Sequence, residues 1–250
     1  MKKTISFIII FIFVIIGLTG CSGCSISSFK NNEFIWEDYV CQMPADKSYV
    51  NISALSEEGK TKKVLMIPQT INGLPVKGLV DKSTYYESGV FESDVLEKIY
   101  IPIGIYIFED LFLECSILKE IYSPGTLINN FKNNNVKIYL HNEYIITYIL
   151  NDYEEIKMFV LSANIVYNIN YELHLMENLY VVDNSNYGEK IEPLLREPER
   201  QGYTFDGWYK ETECINKWDY DTDTLPEVKY DENEEEILQE TILYAKWIEN

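Results

Sequence analysis

The chain lacks the short motifs that mark the commonest catalytic and nucleotide-binding sites. No H-E-x-x-H, G-x-S-x-G, G-x-x-x-x-G-K or G-x-G-x-x-G occurs anywhere in it, which removes the simplest routes to zinc hydrolysis, serine esterase chemistry and phosphate cradling. Histidine is scarce. His141 and His174 stand far apart, and each reads either as a lone base or, more ordinarily, as a surface or satisfied side chain. Positive charge is in deficit, with 21 Lys and Arg against 40 Asp and Glu and a net charge of −19. Such a surface is solvated and is repelled by phosphate backbones and anionic headgroups, so nucleic acid is excluded as a partner. The five cysteines, Cys21, Cys24, Cys41, Cys115 and Cys214, follow no disulfide framework. Cys115 and Cys214 are expected to be small buried apolar residues. No catalytic residue, metal site or cofactor is expected.

Long apolar runs are also few, and the clearest one stands at the start. Lys2 and Lys3 precede an almost wholly apolar stretch from Ile5 to Leu18, and Leu18-Thr19-Gly20 leads into Cys21. The run is short of the roughly 20 residues a helix needs to cross hydrocarbon, so it reads as a secretory signal, with an uncleaved helical anchor as the alternative. The small residues before Cys21 resemble the bacterial lipobox. That resemblance implies a lipid on the Cys21 sulfur, cleavage after residue 20 and placement on the extracytoplasmic face of the bacterial cell membrane. Cys21-Ser-Gly-Cys24 has the form C-x-x-C, but a lipidated sulfur supplies no thiolate for redox or metal chemistry. Loss of Lys2 and Lys3 takes the charge to about −21, so the lipid alone would hold the protein at the membrane.

Residues 21–46 divide into a Ser- and Asn-rich tether and an apolar segment around Phe34, Trp36 and Tyr39 that reads as a cover on the first folded unit. The tether spans about 20 Å on average and at most about 50 Å. A repeat then begins. Leu96-Glu-Lys-Ile99-Tyr100-Ile101-Pro102 recurs 22 residues later as Leu118-Lys-Glu-Ile121-Tyr122-Ser123-Pro124, with Val64-Leu65-Met66-Ile67-Pro68 as an earlier copy and Val136-Lys-Ile138-Tyr139-Leu140 as a later one. Repeats of this length are supersecondary units stacked in line. Apolar residues two apart point to one side of a short strand, and proline ends it because it has no N–H to donate. With Phe112, Cys115 and Leu118, this run resembles the BspA-like leucine-rich repeats of bacterial surface proteins. The resemblance implies a short solenoid within residues 47–160, distorted by an insertion at 81–88. Helical spacing of apolar residues between 142 and 159 predicts a closing helix. Aligned strands place Met66, Tyr100, Tyr122 and Tyr139 in one outward row, which is either a partner-binding face or ordinary cross-strand packing.

Beyond residue 163 the pattern changes. Ile165–Asn170 and Leu179–Val182 read as strands. The blocks Gly202-Tyr203-Thr-Phe205-Asp-Gly207-Trp208-Tyr209 and Leu243-Tyr244-Ala245-Lys246-Trp247 closely resemble the internalin-type B repeat of bacterial surface proteins. The resemblance implies a small β-grasp-like fold over residues 163–250 without cofactor or catalytic centre. Asp219-Tyr-Asp221-Thr-Asp223 begins like a calcium loop and then departs from it at Thr224 and Tyr230. The acidic run from Asp231 to Glu236 reads as a solvated loop.

The expected fold is mainly β (α+β), a short leucine-rich-repeat solenoid followed by a B-repeat domain. The expected function is a non-catalytic, lipid-anchored surface protein that binds a protein or glycan through its repeat modules. The alternatives are a structural envelope spacer and, more distantly, an unrecognised hydrolase.

Overall fold

In the computed structural model, residues 32–79, 91–107, 111–112, 114–125, 136–141, 160–171 and 178–250 are described. The signal, Cys21, the tether, the insertion at 81–88, the closing helix at 142–159 and His174 lie outside the described residues. Among those described, the chain is mainly β. The expected helical component is not among them, and a single 3-10 turn at Gly59–Thr61 breaks the run of strands.

The sequence repeat becomes a parallel sheet. Strands β4 (Val64–Met66), β7 (Lys98–Tyr100), β9 (Glu120–Tyr122), β10 (Lys137–Leu140) and β11 (Val160–Ser162) lie side by side in that order. Their register aligns Leu65, Ile99, Ile121 and Ile138 in one row and Met66, Tyr100, Tyr122 and Tyr139 in the next. The ladder runs one residue past each strand, with Ile67, Ile101 and Ser123 donating to the carbonyls of Tyr100, Tyr122 and Tyr139. Pro68, Pro102 and Pro124 follow at once and stop it, having no N–H to offer. Leu65, Ile99 and Ile121 enter a first core with Phe91, Leu96, Leu118 and Cys115. Outside the sheet, Glu97 bridges Lys63 at 3.0 Å and Lys119 at 2.5 Å, linking three successive units.

A second sheet closes this core. The hairpin of β1 (Asn32–Trp36) and β2 (Tyr39–Met43) pairs with β3 (Val50–Leu55), which runs parallel to β6 (Leu74–Leu79). At its far side β6 turns back on β5 (Thr70–Ile71) and pairs with β8 (Tyr106–Ile107). The turn between β5 and β6 is Asn72-Gly73, both at positive φ, the backbone sign that a tight two-residue hairpin demands. The segment expected as a cover forms the β1–β2 hairpin, whose Tyr39 and Cys41 are fully buried in the first core.

The C-terminal part is a mixed sheet in the order β13 (Leu179–Asp183), β12 (Ile165–Asn168), β17 (Thr241–Glu249), β14 (Tyr203–Tyr209). Its central pair, β12 and β17, is parallel and the outer pairs are antiparallel. A bulge in β14 falls between Phe205 and Gly207, where Gly207 has a φ of 123° and a Cβ would meet the Lys217 side chain at 2.5 Å. The short hairpin of β15 (Lys229–Tyr230) and β16 (Glu236–Ile237) carries the acidic run as its exposed loop.

Asn31–Asn250 forms one compact unit. The two stretches expected as separate modules share a second core, in which Met66, Tyr100, Tyr122 and Tyr139 pack with Val166, Tyr167, Tyr180, Val182 and Trp208.

Candidate functional site

The aromatic row forms as the register predicts, and its surroundings correct the expectation of a face open to a partner. Tyr100 and Tyr122 stack at 4.8 Å, and Tyr122 and Tyr139 at 4.7 Å with planes 4° apart. Met66 and Tyr122 are each 1% exposed, Tyr139 6% and Tyr100 7%. The face is covered by the chain's own C-terminal sheet. Period-two alternation gives a strand two faces, and here both are apolar, so both are buried. Tyr100 donates its hydroxyl to Asp183 Oδ1 at 3.0 Å across the junction, and Ile103 N–H donates to the Tyr180 carbonyl at 3.0 Å. Burial raises the Asp183 carboxyl above the usual aspartate value, while the Asn184 N–H, Lys98 and Tyr100 oppose the shift. Burial likewise pushes the phenols of Tyr100, Tyr122 and Tyr139 above the ordinary tyrosine value.

Beside this buried contact the two parts leave a cleft of about 840 Å³. One wall comes from Trp36 and Glu37 at the β1–β2 turn and from Gln69, Thr70 and Gly73 around β5. The other comes from the loop Leu195–Gln201 and the start of β14, with Trp247 of β17 behind. Two side chains of that loop dominate. Arg196 donates from Nε to the Met66 carbonyl at 2.9 Å, pairs with Glu37 at 2.6 Å and lies 5.0 Å from the Trp36 ring centre. It is a latch between the parts. The Met66 carbonyl also accepts from the buried Tyr39 hydroxyl at 2.9 Å. Four residues further along the loop, Arg200 lies 3.7 Å from the ring centre of Tyr203, 4.6 Å from Tyr171 and 6.0 Å from Trp247. Glu199 accepts a hydrogen bond from the Thr70 hydroxyl.

A smaller cavity of about 250 Å³ lies nearby, between Pro193, Phe205, Trp208 and Trp218. Among the described residues, the buried Trp218 indole N–H, Tyr167 hydroxyl and His141 Nδ1 meet no hydrogen-bond partner. His141 Nε2 faces Glu240 at 3.8 Å, so it sits between the two parts of the chain.

Other sequence candidates resolve as structure. The Asp219-Asp221-Asp223 series serves the backbone: Asp219 accepts from the Asp221 N–H at 2.9 Å, and Asp223 from the Asp219 N–H at 2.8 Å and from Lys210 at 2.6 Å. Those bonds lower the Asp219 and Asp223 carboxyls, and among the described residues no group of metal-ligating side chains gathers. Cys41 and Cys115 are buried free thiols. Cys214, expected to be buried, is only half-buried, because it occupies a turn at φ 50° with its sulfur against Asn170 Nδ2 at 3.3 Å. Arg196, Arg200 and Thr70 were not singled out in the sequence, and Trp36 was read there only as part of a covering segment. The available signal was that Arg196 and Arg200 are the only two arginines of the chain.

Stacked parallel strands joined to an aromatic-cored mixed sheet define a repeat-built β protein. Residues 167–246 match the Listeria-Bacteroides repeat domain, a repeat of bacterial surface proteins that indicates an extracellular, repeat-based role. No curated protein matches the chain.

Proposed function

We propose that the protein is a non-catalytic, lipid-anchored protein of the extracytoplasmic face of a bacterial membrane, and that its two β parts act together to bind a protein or glycan in the cleft between them. The N-terminal part is a short leucine-rich solenoid: each unit contributes one parallel strand, and Leu96, Cys115 and Leu118 pack inside it. The C-terminal part is an internalin-type B repeat of β-grasp-like order, with its first and last strands central and parallel. Lipidation rests on the residues leading into Cys21.

The observation that carries the binding reading is the cleft itself. It is lined by aromatic rings that are only half-buried, Trp36, Tyr203, Phe205 and Trp247, beside an arginine. Half-buried aromatics with a stacked guanidinium are the side chains that binding surfaces favour. The structural-spacer reading draws support from one observation, the burial of the aromatic row inside the molecule.

The test screens the full chain, held in detergent, against a glycan array and a displayed peptide library. Gln201→Trp adds bulk at the exposed cleft wall. Binding that Gln201→Trp abolishes supports the cleft. Binding that survives it, or no binding in either screen, overturns the cleft reading and leaves the spacer.

A further inference from the structure

Of 21 basic residues in this acidic chain, two are arginines, and both line the cleft. Arginine differs from lysine in offering a planar fork of donors that matches a carboxylate with two parallel hydrogen bonds, and in stacking on aromatic faces. Arg196 uses its fork within the protein, on the Met66 carbonyl and Glu37. Arg200 does not. Its guanidinium is held over Tyr203 and beside Tyr171, yet no side chain pairs with it among the described residues, in a chain that holds 40 carboxylates. The neighbouring acids are otherwise disposed: Glu37 is engaged by Arg196 and Glu199 by Thr70, while Glu197 on the same rim has no ion pair among the described residues. The cleft therefore presents one preorganised cation and, three residues away along the loop, one open anion.

The wall beside Arg200 is a strand edge. β14 is the outermost strand of its sheet. Its second half is closed by the chain returning at residues 216–218, where Trp218 N–H donates to the Trp208 carbonyl and Tyr209 pairs with Lys217. Its first half, Tyr203–Phe205, faces the cleft; the Tyr203 N–H turns back to the Arg200 carbonyl at 3.1 Å, and beyond that bond no strand among the described residues pairs with this side. An open strand edge is the standard seat for an extended peptide, whose backbone supplies the missing ladder.

Resting on the proposed role of the cleft, we infer that its ligand is an extended peptide lying along β14, with a carboxylate seated on Arg200 and a basic side chain toward Glu197. A polyanionic glycan fits less well, because the chain's net charge of −19 repels it.

The experiment selects displayed twelve-residue peptides on the full-length chain in detergent, then measures the enriched peptides on variants. Enriched sequences should share an acidic position. Arg200→Gln should weaken them by roughly 10- to 100-fold, the loss expected of a charge-assisted hydrogen-bonded pair. Arg200→Lys should restore only part of this, since it keeps the charge without the fork. A peptide truncated to Ala at its acidic position should bind wild type and Arg200→Gln alike. An unchanged circular dichroism spectrum excludes unfolding as the cause. If peptides bind, are blocked by Gln201→Trp and ignore Arg200→Gln, the cleft stands and the carboxylate seat falls. If only acidic saccharides bind, and Arg200→Gln releases them, the peptide falls and a glycan takes its place. If nothing is blocked by Gln201→Trp, the cleft reading itself has failed.

Discussion

Replacing Tyr122 by Ala tests whether the aromatic row is the seam of the molecule. Tyr122 is 1% exposed and lies between Tyr100 and Tyr139 at 4.8 and 4.7 Å, with Lys98 Nζ 4.8 Å above its ring. Truncating a buried aromatic to Ala costs about 3–5 kcal/mol, a figure that includes the cavity left behind. The two stacks it makes are worth about 0.5–1.5 kcal/mol each and place it toward the upper end. Against a total stability of about 5–15 kcal/mol, this is a large fraction. At about 2–4 °C per kcal/mol for a unit of this size, the melting temperature should fall by about 6–20 °C. Tyr122→Phe is the control, losing the hydroxyl that donates to Glu120 Oε2 at 3.1 Å and costing about 1 kcal/mol or less. Calorimetry should be followed together with tryptophan fluorescence, since Trp36 lies in the N-terminal sheet and Trp208 in the shared core. Both signals should move in one transition. A shift under about 2 °C, or one no larger than that of Tyr122→Phe, would refute the burial of this ring at a shared core.

Arg196→Ala should destabilise by about 2–4 kcal/mol in urea denaturation, from a charge-assisted hydrogen bond of about 1.5–3 kcal/mol and a ring contact of about 0.5–1 kcal/mol, with the exposed Glu37 pair adding little. Arg196→Lys should recover less than half. Two carboxylates should give opposite pH dependences. Asp183 has a raised value in the folded state, so the stability it contributes is complete below the ordinary aspartate value and is lost as pH rises through the folded one; Asp183→Asn should flatten the slope on that side. Glu97, held down to about 2 by Lys119 and Lys63, contributes stability above pH 4.5 that disappears as pH falls toward 2, and Glu97→Gln should remove that acid limb in thermal melts. Burial pushes the Cys41 and Cys115 thiols up to about 12, so of the three described thiols a disulfide reagent at pH 8 should reach half-buried Cys214 first and the other two only on unfolding, as read by peptide mapping of a Cys24→Ser variant.

The register of the parallel sheet was legible because two local rules agree on it. Alternation separates Leu65, Ile99 and Ile121 from Met66, Tyr100 and Tyr122, and a proline closes each of those three strands. What covers the second row was not legible. Tyrosine suits a strand whether its far side meets solvent or protein, and the sheet that covers it is built from residues 165–249, which the repeat does not foretell. The cleft was hidden for a related reason. Trp36, Thr70, Arg200 and Trp247 belong to four distant stretches, and no spacing rule connects them. Cys214 was misplaced because composition favours burial for cysteine, whereas its position is a turn with positive φ. The Asp219–Asp223 series shows the converse: alternate carboxylates resemble metal ligands in sequence and act here as caps for backbone N–H groups.

Strand β17 is central in the C-terminal sheet, bonded to β12 on one side and β14 on the other, and it spans residues 241–249. Synthesis from the N-terminus therefore delivers the keystone last. Until it arrives, β12 lacks one neighbour, the C-terminal sheet cannot close, and the row from Met66 to Tyr139 has only the unsupported β12–β13 pair to lie against it. For that interval the nascent chain carries a sticky aromatic stripe that needs shielding from its siblings. A stop codon ahead of residue 241 would make the interval permanent, turning a well-covered seam into a self-association hazard.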